Sequence, residues 1–592
     1  MYIAIAQNNP TTGALEQNAQ SIIDTVGELA ESAYPPDLVI FPAFALTGTP
    51  LDGLAFSTAF NAECLDQAQR VIQEAKLPCL FGSVMPHPMI PTGHFAEAEV
   101  VYCGGGQGGA LGFSDIDEHY TTDYFPEYIR VKINQLIVAI FLNSFPDLDE
   151  NDLDDCDLII AMMAKEYRGT TTLLTSAQHV EELRRIARQA RAWLVVVNLV
   201  GGQDDVVFDG GSLVLDPQGS IQASAPVFSD EVLTCNLTFG RRARAAAARS
   251  HDEAAEAGRS PDIPSRQPTR PLMPYEADWQ AIQLATHDFV VKNGFSDVVI
   301  GLSGGIDSAA TAALAVDALG PKQVHALWMP AAHSPESSRL DALELSQNLG
   351  IEMLYLPISD PQQAVEQVMQ EMTGSPGSDL ARQNLQARLR MVYLMHLSNT
   401  LGWLPLNTNN KSEAATGYST LYGDSAGAFA PFGNIYKTDV YGLARWRNQQ
   451  SAVIPESILN KPPSAELFAG QLDTDSLPPY DVLDHILRLH IEDGLGIDQI
   501  IDIIDNSPAG DPVAPELIAD VLQRVSKSEF KRRQEPIAPN LGSVDITNFR
   551  SWPLTNGFQD RNRGLNEATD IERYLEMVQD WNRPEGWGFL AN

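Results

Sequence analysis

The chain has 592 residues, 44% of them hydrophobic and 20% charged, and a formal net charge of -38. That length exceeds what one hydrophobic core serves, so at least two domains are expected. The negative charge argues against non-specific nucleic-acid binding, which needs clustered Lys and Arg, and no apolar run approaches the roughly 18 residues of a membrane span.

The first residues, MYIAIAQNNP, lack the basic flank and long apolar stretch of a signal peptide. The five cysteines (Cys64, Cys79, Cys103, Cys156, Cys235) are scattered without metal-ligand spacing. Reduced, buried thiols in a cytoplasmic protein are the expectation. YIAIAQ, DLVIFP, CLFGSVM, QLIVAIFL, DLIIAMM and WLVVVNLVGG read as strands, and EELRRIARQARA as an amphipathic helix before the last of them. FDGGSLVLDPQGSIQASA reads as a closing strand pair around a Pro-Gln-Gly turn. These elements predict an α/β domain over 1–245. Residues 246–275, rich in Ala, Arg, Ser and Pro, predict a linker. A second α/β domain is expected over 276–592. It opens with the helix YEADWQAIQLATHDFVVKNGF and continues through the strands DVVIGL, VHALWMP and IEMLYLPIS.

The strongest chemical signal lies between DVVIGL and an alanine-rich helix. Gly301, Leu302, Ser303, Gly304, Gly305, Ile306, Asp307 and Ser308 form a strand–turn–helix passage. Its glycines let backbone amides face one point, and a helix N-terminus follows, which together make an anion nest. Asp307 is ill suited to an anion alone, and a bridging Mg²⁺ is the physical reason to place it there. The competing reading makes Asp307 or Ser308 a simple helix cap.

The SGGIDS loop resembles the pyrophosphate loop of the N-type ATP pyrophosphatases, which implies a doubly wound parallel sheet. The blocks from Asn384 to Asn448, KPPSAEL, DTDSLPPYDVLD and EFKRRQEP are similar to those of NAD synthetases. That resemblance implies adenylation of deamido-NAD by ATP, followed by attack of ammonia and loss of AMP. It carries Asp307 and Glu413 over as Mg²⁺ and substrate-pocket residues, and Arg388, Thr408 and Lys437 as ATP and phosphate residues. Asn384, Glu413, Asp424 and Lys531 carry over as deamido-NAD contacts. Plainer readings stay open for four of them: Arg388 and Lys437 as solvated cations, Glu413 as a first-turn acid, and Thr408 as an N-cap.

The first half is similar to the nitrilase-like glutaminase domain of the two-domain NAD synthetases, an α/β/β/α sandwich. That family uses Glu, Lys and Cys to release ammonia from glutamine. Here FPAFALTGTP puts Ala43 at the glutamate position and QLIVAIFLNSFPD puts Phe141 at the cysteine position. ALGFSDIDEHYTTDYFPEY holds no lysine, the candidates there being Asp115, Asp117 and Glu118, and Lys165 lies in another element. The expectation is a silent glutaminase fold on an ammonia-using NAD synthetase, a homo-oligomer of at least two copies, with ammonia free in solution or supplied by a separate glutaminase. Two alternatives remain: glutamine dependence through a displaced thiol such as Cys156 or Cys103, and a nucleotide-binding scaffold without turnover.

Overall fold

The computed structural model describes residues 1–86, 96–104, 107–110, 128–133, 136–143, 153, 155–170, 173–239, 272–468, 470–506, 513–542, 544–546 and 551–555. Most of the lysine-free segment, residues 111–127, and most of the expected linker, residues 246–271, lie outside them. The chain divides into two compact units, Met1–Gly294 and Phe295–Asn592.

The first unit contains fourteen described strands: β1 (Tyr2–Gln7), β2 (Leu38–Ile40), β3 (Cys79–Pro86), β4 (Ala96–Gly104), β5 (Gln107–Ala110), β6 (Tyr128–Ile133), β7 (Leu136–Leu142), β8 (Leu158–Met163), β9 (Trp193–Asn198), β10 (Val200–Gln203), β11 (Val206–Asp209), β12 (Leu213–Leu215), β13 (Ile221–Ser224) and β14 (Glu231–Asn236). Two six-stranded sheets, ordered β14-β1-β2-β3-β4-β5 and β13-β12-β9-β8-β7-β6, form the sandwich. Strand alternation builds it. Ile3 and Ile5 of β1 meet Val138 and Ile140 of β7 in one central cluster. Ala4 and Ala6 turn the other way, into a cluster shared with residues of the helices Leu15–Ala30 and Thr58–Glu74. Ala139 and Phe141 turn towards the helix Ala177–Ala190. The period of two that marks a strand therefore fills three apolar layers, and the α/β/β/α architecture stands. The antiparallel strands β4, β5, β6 and β14 are additions to the sequence reading. Short strands of mixed polarity, such as EVLTCN, carry little periodic signal on their own.

The helix Pro274–Lys292 differs from expectation in its neighbours. Sequence places it at the head of the second domain, yet it packs along β10 and β11 of the first unit. Gly202 makes the approach possible, because a Cβ there would lie 2.7 Å from the Ala285 Cα. Buried Asp288 accepts hydrogen bonds from Asn9 Nδ2 at 2.7 Å and the Gly202 N–H at 2.8 Å. Lys292 donates to Asn9 Oδ1 at 2.7 Å and the Gly202 carbonyl at 2.8 Å. Tyr167 donates to Asp278 at 2.6 Å.

The second unit is built on a parallel sheet of β15 (Val298–Gly301), β16 (Val324–Trp328), β17 (Glu352–Tyr355) and β18 (Leu404–Pro405), ordered β17-β16-β15-β18. The chain moves outward from β15 to β17 and returns to β15's other side as β18. This reversal is the topological switch at which such sheets bind ligands, and the SGGIDS loop leaves β15 there. The alanine-rich helix Ile306–Leu319 is buried on nearly every face, Ala309 to Ala315 included, which only small side chains permit. Further helices, among them Tyr480–Ile491 and Pro515–Lys527, close over a separate apolar cluster. Among the described residues, no helix is long and apolar enough to cross a membrane.

Candidate active site

Beyond the end of β15 the chain turns at Gly304, whose φ is +78°. The loop ties itself together. Gly305 N–H donates to Ser303 Oγ at 3.2 Å, and Ser308 Oγ donates to the Gly305 carbonyl at 3.1 Å. Ser308 is buried, so its hydroxyl stiffens the turn. Gly305 is the N-cap of the next helix and supplies no side chain to its first amides. That exposed helix start suits an anion. Gly304 also touches the Ser338 backbone, where an added Cβ would lie 2.5 Å from the carbonyl oxygen. Gly304→Ala is therefore expected to cost about 1–2 kcal/mol for the left-handed backbone alone, with the clash added. Nucleotide affinity should fall with the melting temperature, as calorimetry and ATP titration would check.

Asp307 is not a cap. Its carboxylate accepts from Lys437 Nζ at 2.5 Å and from Asn410 Nδ2 at 2.9 Å. Lys437 also reaches Glu413 at 3.2 Å, so one cation serves two carboxylates. Lys437 is 2% exposed, which ends the solvated-cation reading. Burial by itself would lower its ammonium, but Asp307 and Glu413 carry it well above its ordinary value. Burial pushes Glu413 up to about 8; Lys437 opposes this, while Asp307 and Asp473 add to it. Of the two carboxylates, Asp307 holds the shared cation more closely. Thr408 is not the N-cap of the helix Lys411–Thr416 either; Asn410 is, accepting from Glu413 N–H at 3.0 Å. Glu413 does lie in that first turn.

These groups open onto a cleft of about 250 Å³ within the second unit. Gly301, Leu302, Ser303, Gly305, Ile306, Asp307, Ser308, Thr408, Glu413, Asp424 and Lys437 all line it. Arg388, Asn384 and Lys531 instead gather around the loop that carries Asp424. Arg388 Nε donates to the Leu421 carbonyl at 3.0 Å, Asn384 Oδ1 accepts from Thr420 Oγ at 2.9 Å, and Lys531 Nζ donates to the Gly417 and Ser419 carbonyls, each at 2.7 Å. On the helix Asp379–Leu401, which carries Arg388, the arginine that does line the cleft is Arg390, with Nε on the Met329 carbonyl at 3.0 Å. Sequence reasoning missed it, along with Lys461, Glu466 and Asp473. Lys461 donates to Glu466 at 2.8 Å, and Asp473 accepts from Tyr480 at 3.0 Å and Tyr418 at 3.3 Å. The blocks KPPSAEL and DTDSLPPYDVLD held the signal without singling out those residues.

In the first unit, Ala43 and Phe141 are both fully buried but lie in different layers. Ala43 belongs to the cluster between the sheets. Phe141 belongs to the helix-side cluster, its ring stacked on Tyr128 at 4.9 Å. Leu142 is the residue turned towards the central cluster, where Phe44 also packs. Asn143 then leaves the strand at φ +52° and accepts the Ala164 N–H at 2.9 Å. Lys165 sits near buried Asp209, whose carboxyl is pushed up to about 7 by burial. All five cysteines are buried. Burial raises Cys64 to about 12 and Cys235 to about 11, whereas Cys103 is lowered through its contact with Cys79.

Residues 278–535 match the family model described as NAD synthase. The glutamine-dependent NAD(+) synthetase of Aquifex aeolicus is 34% identical over 94% of this chain and 100% of its own. The chain belongs to the glutamine-dependent NAD(+) synthetase family. The Thermotoga maritima member is 33% identical over 95% of this chain and 99% of its own. A solved family member from Acinetobacter baumannii, in complex with ADP, covers 95% of this chain and 99% of its own at 28% identity, with a TM-score of 0.66. The Cytophaga hutchinsonii family member, at 17% identity with 97% and 99% covered, shares the fold at a TM-score of 0.73. The matched residues 278–535 include the SGGIDS loop and every residue lining the cleft.

Proposed function

We propose that the chain makes NAD from deamido-NAD, ATP and ammonia and does not use glutamine. The observation that carries this reading is the absence of an accessible thiol: all five cysteines are buried, and β7 ends in Phe141 and Leu142, with Asn143 next. A glutaminase nucleophile must meet its substrate as a thiolate. The relatives' glutamine-dependent naming favours a second reading, glutamine use through a displaced thiol such as Cys156 or Cys103. Assaying NAD formation with ammonium or glutamine as sole nitrogen source separates the two.

In the synthetase half, the proposed chemistry has two steps. The nicotinate carboxylate of deamido-NAD attacks the ATP α-phosphorus, and the bond to pyrophosphate breaks. Ammonia then adds to the acyl carbon, the bond to AMP breaks, and protons leave the new amide nitrogen. The SGGIDS amides and helix start hold phosphate charge, and Lys437 fixes Asp307 and Glu413. Three carboxylates, Asp307, Glu413 and Asp473, surround the single buried Lys437, a negative excess that fits a divalent cation. Among the described residues no three Asp, Glu, His or Cys groups form a metal cage; Mg²⁺ commonly binds through a carboxylate or two together with substrate phosphates. Asp307 and Glu413 would hold it, and it would neutralise phosphate charge. Thr408 and Asp424 line the proposed ATP and deamido-NAD pocket, and Arg388, Asn384 and Lys531 brace the loop that carries Asp424.

Self-association is part of the proposal. The helix Ser359–Thr373 buries no residue, yet it exposes Val365, Val368, Met369 and Met372. The neighbouring helix Asp379–Leu401 exposes Leu380 and Val392. An apolar stripe of this kind marks an interface. Light scattering should give at least a dimer, and Val368→Glu with Met372→Glu should yield monomers. A monomeric parent chain would remove this part of the proposal.

A further inference from the structure

The amide-forming step consumes uncharged ammonia, whereas ammonium predominates in water at neutral pH. An enzyme that takes its nitrogen from solution gains from a proton acceptor near the cleft. The carboxyls there differ in what already holds them. Asp307 and Glu413 share Lys437. Glu466 receives Lys461 and the Ser338 hydroxyl. Asp473 receives two tyrosine hydroxyls.

Glu535 is held by neutral donors. One oxygen accepts from Asn409 Nδ2 at 3.1 Å and the other from Ser419 Oγ at 3.4 Å. Lys531 lies near enough to act on it electrostatically, but its ammonium donates to the carbonyls of Gly417 and Ser419. Asn409 lines the cleft, as does Asp424. Asp424 is the negative charge that faces Glu535, and its own carboxylate accepts the Thr420 N–H.

We propose that Glu535, one hydrogen bond behind the cleft-lining Asn409, accepts a proton from ammonium as it enters past Asn409 and Asp424. This deepens the ammonia-dependent reading and rests on it. Ammonium gives one proton to the Glu535 carboxylate and becomes ammonia. The nitrogen lone pair forms the C–N bond to the acyl-adenylate, the C–O bond breaks, and AMP leaves with that electron pair. The nitrogen sheds a second proton to solvent, and Glu535 returns its own to solvent.

The basicity of Glu535 suits the task. Burial pushes its carboxyl up to about 8; the Asp424 charge adds to this, and Asn409, Ser419 and Lys531 oppose it. A raised carboxyl is a better match for the weak acid ammonium. The carboxylate is the working form, so ammonium-dependent turnover through Glu535 should rise with pH through that value.

The test compares ammonium with hydroxylamine, a nitrogen nucleophile already uncharged at neutral pH, in the full chain and in E535Q and E535D. AMP release is the readout. In E535Q, kcat/KM for ammonium should fall about 100-fold, the usual scale of an acid–base residue, with the loss concentrated just above about pH 8, where Glu535 is ionised and ammonium still predominates. Hydroxylamine kcat/KM should stay within about twofold, because no proton must first be removed. E535D, which keeps a carboxyl, should recover part of the ammonium rate. Equal losses with both nucleophiles would make Glu535 a structural support for Asn409 and overturn the proposal, as would an unchanged ammonium rate. A parent chain that uses ammonium with an indifferent E535Q defeats only this inference. A parent chain that needs glutamine defeats the ammonia reading and this inference with it.

Discussion

With ammonium as its sole nitrogen source, the purified chain is expected to turn deamido-NAD and MgATP into NAD, AMP and pyrophosphate; with glutamine alone, NAD formation should stay at background. The expected difference is large because a missing nucleophile is not a weakened one. Losing a single central group of a nucleophilic triad costs a hydrolase a factor of about 10⁶. In the proposed reading Ala43 and Phe141 stand at the glutamate and cysteine positions, and neither side chain transfers a proton or attacks a carbonyl. A displaced nucleophile would have to come from five buried cysteines. Cys103, whose thiol is lowered rather than raised, hydrogen-bonds inside the sandwich to the Ile72 carbonyl at 3.5 Å. Glutamine-driven NAD synthesis that an alkylating glutamine analogue abolishes would return the chain to the glutamine users.

Asp307→Asn is expected to reduce NAD synthesis about 100-fold or more, the scale on which preorganised charge acts in water-excluded sites. The isosteric amide retains the turn and can still accept from Lys437. It loses the charge that would help hold a hard divalent cation. Folding should suffer less than turnover, because Glu413 remains 3.2 Å from Lys437 and keeps the buried cation paired. The substitution also has a pH signature. In the folded chain Glu413 is raised to about 8, above its ordinary value of about 4.3. The folded state therefore binds more protons than the unfolded state between those values, and this group's contribution to stability declines as pH rises through them. Removing the Asp307 charge relieves part of the elevation, so the melting temperature of Asp307→Asn should depend less on pH in that window. Undiminished turnover with unchanged Mg²⁺ dependence would reduce Asp307 to a counter-charge for Lys437.

Much of this protein was legible in local order. Strand alternation in YIAIAQ and QLIVAIFL announces a two-faced sheet because side chains on a strand alternate whatever surrounds them. The SGGIDS loop announces an anion site because its glycines and the following helix start are local features. Local order does not say which partner a side chain meets across the fold. Arg388 and Arg390 are two residues apart on a helix, about 200° around its axis. Only packing decides that Arg390 lines the cleft while Arg388 holds the Leu421 carbonyl. Asp307 and Lys437, 130 residues apart, meet only through tertiary folding, and that contact settles that Asp307 is no helix cap. The helix Pro274–Lys292 reads as the start of a second domain. Its buried Asp288, bonded to Asn9 and Gly202, ties it to the first. Sequence by itself determined the strand faces and the resemblance to the NAD synthetases, because each rests on residues adjacent in the chain. Tertiary structure decided the cleft wall, the shared lysine and the unit boundary, because each depends on contacts between residues far apart in sequence.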